Sequence, residues 1–139
     1  MMAQLKIIKT DEVESQNIRG HGKEAGQIKR IISTGKLFFN VDEVNPGFSP
    51  HHWHTHGKYT ADGVEVEYAA DFEEIYFILS GCGVMQWKTE GGEIREQAVD
   101  AGDTIHMPAG VVPHQLLNNG TEKMRLAVVG VPPPRRTPV

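Results

Sequence analysis

Four of the chain's seven histidines fall within six residues, His51-His52-Trp53-His54-Thr55-His56. Neutral imidazole is a common protein ligand for transition metals, so this stretch is either a metal site or an unusual polar decoration. If it is an extended strand, alternate side chains share a face. His52, His54 and His56 then point one way, and His51 and Trp53 the other. Metal sites in barrels draw ligands from several inward-facing strands, so partners are sought further along. Glu74 opens a segment of high β-propensity, where an ionised carboxylate on an inward face is costly without a cation. His114 opens another, just after Pro108-Ala109-Gly110-Val111-Val112-Pro113. Tyr76, two residues beyond Glu74, shares its face and offers either a hydroxyl for proton transfer or simple core packing. His106 either faces the lumen or is a packed or surface histidine. His21, between two glycines, reads as a solvated loop residue.

The elements that must position these groups are strands. At 139 residues the natural count is one domain, and 39% hydrophobic with 23% charged residues is ordinary for a soluble globular chain. A net charge of −4 without a basic run argues against nucleic acid as partner. No apolar stretch approaches a membrane span, and the first residues lack the apolar run of a signal peptide. The single cysteine, Cys82, excludes an internal disulfide and fits a cytoplasmic setting.

Residues 1–27 read as a weakly patterned arm, with an edge strand at Leu5–Lys9 and a polar loop from Asp11 to Gly26. Strands are expected at 27–33, 37–44, 72–79, 83–88, 94–99, 104–107, 112–117 and 123–129, parted by Gly-, Pro- and Asn-rich turns. Residues 57–71 interrupt this series as an insert, read as a hairpin lid carrying Tyr59 and Tyr68. The tail, 132–139, is Pro-rich and cannot continue a central strand. About ten short strands with no amphipathic helix point to an all-β jelly-roll barrel spanning 28–131.

The chemistry-bearing residues then fall into a known order. Gly47, His52-Trp53-His54, Glu74 and, six residues later, Gly81 resemble the first motif of the cupin superfamily. Gly102, Pro108, Gly110, His114 and Asn118 are similar to its second. Together they span about half of the chain. The insert makes the gap from His54 to Glu74 far longer than is usual in the family, and the gap from Gly110 to His114 is one residue longer than the commonest form. The resemblance implies a cupin-type double-stranded β-helix and one divalent transition metal ion (Fe, Mn, Ni, Co or Zn) on His52, His54, Glu74 and His114. His56 stands as a rival ligand, and His56 and His106 as outer-shell groups. It also implies a homodimer joined through the N-terminal arm.

Three imidazoles and a carboxylate leave one or two positions open on an octahedral ion, which is the mark of a catalytic rather than a closed structural site. The expectation is therefore a small oxygenated substrate, such as a hydroxy acid, keto acid or sugar derivative, chelated for isomerase, decarboxylase, lyase or dioxygenase chemistry, with Tyr76 or Glu74 moving a proton. The alternative is a non-catalytic cupin that holds a metal or ligand for sensing or storage. A third reading is metal-free chemistry of the polyketide-cyclase kind. The local run of Glu74-Ile75-Tyr76, Gly81-Cys82-Gly83 and Met85 also resembles cupin-type phosphoglucose isomerases, but the sequence shows no phosphate-binding cluster beside it.

Overall fold

The computed structural model describes residues 2–18 and 22–139. His21 lies outside the described residues. Twelve strands follow in chain order: β1 (Ser15–Asn17), β2 (Gly26–Ser33), β3 (Phe38–Val44), β4 (Lys58–Ala61), β5 (Val64–Glu67), β6 (Glu73–Ser80), β7 (Cys82–Lys88), β8 (Ile94–Asp100), β9 (Thr104–Met107), β10 (His114–Leu117), β11 (Met124–Val131) and β12 (Arg135–Pro138). Single turns of helix at Thr10–Glu12 and Gly22–Ala25 are the helical elements among the described residues, and none there is long or apolar enough to cross a membrane.

Two sheets face each other around the core, one of six strands in the order β1-β2-β3-β11-β6-β9 and one of three in the order β10-β7-β8. Every pairing is antiparallel. Alternation decides what faces inward. On β6 Glu74, Tyr76 and Ile78 are buried while Glu73, Ile75 and Phe77 are exposed. On β11 Met124, Leu126 and Val128 are buried in the same way. With Phe38, Val44, Phe72, Met107 and Leu116 these make one hydrophobic cluster between the sheets. Packing there is close. A Cβ at Gly130 would sit 2.2 Å from the Phe38 ring, so the large sheet can stack Phe38 against Phe72 only because residue 130 has no side chain.

The insert is a hairpin of β4 and β5. The tail joins it: β12 pairs with β5 to make a third sheet, β12-β5-β4. A Pro-rich segment is tolerated because β12 is an edge strand. Two expectations about the N-terminal region change. Leu5–Lys9 is not a strand, and within the stretch read as loop Ser15–Asn17 extends the large sheet by pairing with β2. Ile18 and Ala25 are buried in the core cluster.

The histidine stretch is the larger departure. It is not an extended strand. The chain bends at His51, Trp53 and His56, and only His54 makes a bridge, with His114. Ser49 sets the entry: its buried hydroxyl accepts from the His51 N–H (3.1 Å) and donates to the His51 carbonyl. Face alternation therefore does not assign these side chains.

Candidate metal centre

The site is built on two backbone hydrogen bonds. The His54 N–H donates to the His114 carbonyl (3.1 Å), and the His114 N–H to the His54 carbonyl (3.0 Å). This clamp sets the two imidazoles side by side, with ring centroids 4.4 Å apart. The bend that follows carries His56 back over the pair, 5.4 Å from the His54 ring and 4.9 Å from that of His114. One nitrogen from each of the three lies within 4.8 Å of the other two.

The tautomers suit metal binding. His54 Nδ1 donates to the His52 carbonyl (2.6 Å) and His114 Nδ1 to the Val112 carbonyl (2.8 Å). A carbonyl can only accept, so each Nδ1 carries the proton and each Nε2 keeps its lone pair. Burial, and then the neighbouring His51 and His114, push the His54 pKa down to about 2. Burial lowers that of His114 as well, against the opposing pull of its hydrogen bond to Val112. Both rings are thus neutral, the form that ligates.

The fourth group is Glu74, buried on the inner face of β6. Its Oε1 lies 3.3 Å from His56 Nε2. Yet the two are not aligned as a hydrogen bond, and His56 Nδ1 and Nε2, like His114 Nε2, are buried without a hydrogen-bond partner. Buried polar atoms in folded proteins are nearly always paired, so an orphaned nitrogen on each of His56 and His114 beside a buried carboxylate fits a cation between them. His54, His56 and His114, with Glu74 beside them, are the residues that would hold it.

Tyr76 shares the Glu74 face and hydrogen-bonds to Glu74. Burial, followed by the charges of Glu74 and Asp42, holds its hydroxyl well above the usual tyrosine range. Tyr76 therefore acts as a fixed donor to Glu74. His52 is exposed, and it reaches the site through its carbonyl on His54 rather than by its ring. His56 occupies the third imidazole position instead. His106 turns outward on β9 and pairs with Glu73 at 2.9 Å. His51, placed on the far face by alternation, packs its ring 4.4 Å from that of His54.

Two further groups bear on the centre. Asp42 is buried on β3 with Oδ1 unpartnered. Burial first, then Glu74, pushes its pKa from 3.8 to about 7, while Arg30 pulls the other way. With Glu74 and Tyr76 it borders a small cavity of about 60 Å³ that also touches Tyr59, Arg30 and Arg136. The sequence carried a signal for it: Phe38, Asn40, Asp42 and Val44 fall on one face of β3, and two of the four are polar. The second group is Tyr68, which sits at the end of the insert 5.5 Å from the His56 ring and 4.4 Å from Phe72. Tyr59 stands edge-on to His51 at 5.3 Å. The insert thus covers the histidine cluster with aromatic rings.

No protein-family model matches the chain. An uncharacterised protein of Methanocaldococcus jannaschii is 29% identical over 137 residues, covering 95% of this chain and 92% of its own. The chain is similar in structure to a predicted oxalate decarboxylase from Thermotoga maritima (TM-score 0.65, 20% identity, 91% of this chain and 98% of that one). It is also similar to the polyketide cyclase RemF from Streptomyces resistomycificus (TM-score 0.69, 20% identity, 98% and 87%). A third such structure is KdgF from Halomonas sp. (TM-score 0.66, 15% identity, 91% and 94%). The sheet order and these likenesses define the fold as a double-stranded β-helix.

Proposed function

We propose that the chain is a metal-dependent cupin enzyme acting on a small oxygenated molecule. The observation that carries this reading is the set of buried, unpartnered nitrogens on His56 and His114, gathered with His54 beside the Glu74 carboxylate. A divalent transition ion bound there supplies Lewis acidity toward a chelating hydroxy acid, keto acid or sugar derivative, and with iron it supplies dioxygen chemistry. The protein's own groups do the rest. His54 and His114 are oriented by their Nδ1 hydrogen bonds, Tyr76 holds Glu74 in place, and Glu74 Oε1 is the group positioned to take and return a proton. Isomerase, decarboxylase, lyase and dioxygenase chemistry all use these parts. Among the similar structures are a predicted oxalate decarboxylase and a polyketide cyclase, which supports an enzyme reading.

The test is metal analysis of protein purified without chelators. About one equivalent of Fe, Mn, Ni, Co or Zn is expected in the wild type, and His56→Ala and His114→Ala should lose it. If the wild type neither carries nor takes up a stoichiometric ion, the proposal falls. We also propose a cytoplasmic homodimer. Its support is an apolar stripe on the outer face of β6, Ile75, Phe77 and Leu79, each 41% exposed, together with an N-terminal segment whose Leu5 and Ile7 are exposed.

A further inference from the structure

His114 is shared between the metal centre and a second, larger space. A cavity of about 490 Å³ opens where the two sheets of the barrel part, between the free edges of β8 and β9. That is an ordinary size for a small-molecule pocket. One side of its wall is apolar and adaptable, formed by Met85, Trp87, Val99, Met107, Val111 and Val112, and Gln97, Thr104 and His106 give it a polar side. Trp87 offers a flat face, and the two thioethers can adjust to whatever lies against them. Among the described residues no lysine or arginine lines it. The formal charge it does carry is negative: the exposed Asp103, whose Oδ2 is turned in to accept from the Asp100 N–H (2.7 Å).

These features select by charge. A phosphate or second carboxylate entering this space would give up hydration with no lysine or arginine to receive it, His106 being already paired with Glu73, and would meet Asp103 as well. A flat apolar body would lose only water contacts. Resting on the metal-centre reading for its oxygen end, we infer that the substrate is an uncharged, ring-bearing molecule that lays its apolar body along Trp87 and presents an oxygen toward His114. Phosphorylated sugars and di-anions are thereby rejected. Of the classes named above this leaves the uncharged sugar derivatives and sets aside hydroxy and keto acids, which are anionic at neutral pH.

The test uses 2-naphthol and 2-naphthyl phosphate, which share a ring system and differ in charge, titrated calorimetrically into metal-loaded and chelated protein. The neutral probe is expected to bind roughly tenfold or more tightly than the phosphate, and to bind chelated protein too, since the wall that holds it is not the ion. Val111→Trp fills the pocket from a loop and should weaken 2-naphthol by roughly tenfold while metal uptake is unchanged. Gln97→Lys, at an exposed position on the rim, should tighten 2-naphthyl phosphate by about tenfold. Equal binding of the two probes, or affinity for 2-naphthol untouched by Val111→Trp, overturns the inference. A protein that takes up no ion yet keeps the charge selectivity retains this pocket and loses only the metal centre.

Discussion

The two faces of β6 invert the usual arrangement of a half-buried strand. Inward stand Glu74, Tyr76 and Ile78; outward stand Ile75, Phe77 and Leu79. An ordinary strand of a barrel keeps its aliphatic side chains inside and its charges in water. Here a carboxylate is buried, and three large apolar side chains are left partly in solvent. Burying the carboxylate costs free energy that only partners can offset, and Tyr76 and His56 are on hand. The outer stripe costs free energy in the opposite way, by ordering water over hydrocarbon until something covers it. Hydrophobic pattern read alone would thus place the outer residues in the core. On the proposed function, the difference teaches that a strand can be specified by two partners at once, an ion within and a second subunit without.

Substitutions on each face should break this contrast separately. The largest effect belongs to the inner ligands: His56→Ala or His114→Ala should weaken binding of Zn(II) or Co(II) by roughly a hundredfold or more in a calorimetric titration, beyond what loss of a ligand's supporting partner costs. His52→Ala should leave that affinity nearly unchanged. If it weakens binding as much as His54→Ala does, the assignment of the third imidazole to His56 is wrong. Next comes Tyr76→Phe, which strips the donor from Glu74 and should lower metal affinity about tenfold. The same change should lower the stability of the metal-free protein by about 1–3 kcal/mol in urea unfolding.

On the outer face, Ile75→Ser with Phe77→Ser should convert a dimer to a monomer in sedimentation, with metal affinity intact, each truncation weakening association by about 1 kcal/mol. A wild type that sediments as a monomer at moderate concentration would remove the outer half of the comparison. The last effect is a slope. The Asp42 carboxyl holds its proton in the folded, metal-free protein up to about pH 7, whereas an ordinary carboxyl releases it near 3.8. Between those values the folded state binds the extra proton, so its contribution to stability is full below the lower value and is lost as pH rises through the upper one. Wild type should lose up to about 1.4 kcal/mol per pH unit across this window relative to Asp42→Asn, measured as the difference between the two denaturation midpoints.

Much of this is legible in the sequence. Alternation and turn residues located the strands of the barrel because side-chain period and turn chemistry are local properties. Glu74 was legible because a glutamate at the head of an Ile-Tyr-Phe-Ile-Leu run is out of place unless it has a partner. The choice among His52, His54 and His56 was not. It depends on a bend imposed by Ser49 and by pairing with a residue sixty positions away, and neither constraint leaves a trace in the spacing of the histidines. Asp42 is harder to read, because a lone acid near a strand end is usually solvated. Only the buried position of its neighbours on β3 gives it meaning.

The reciprocal hydrogen bonds between His54 and His114 bear on the order in which the protein matures. The donor set is drawn from early and late stretches of the chain, and main-chain atoms, not side chains, fix the distance between them. A nascent chain that has not yet emerged through β10 holds two of the three imidazoles and lacks the partner that aligns them. An ion held by this donor set would therefore be taken up only once β10 has joined the barrel, and a truncated or half-folded product, with an incomplete donor set, would hold it far more weakly.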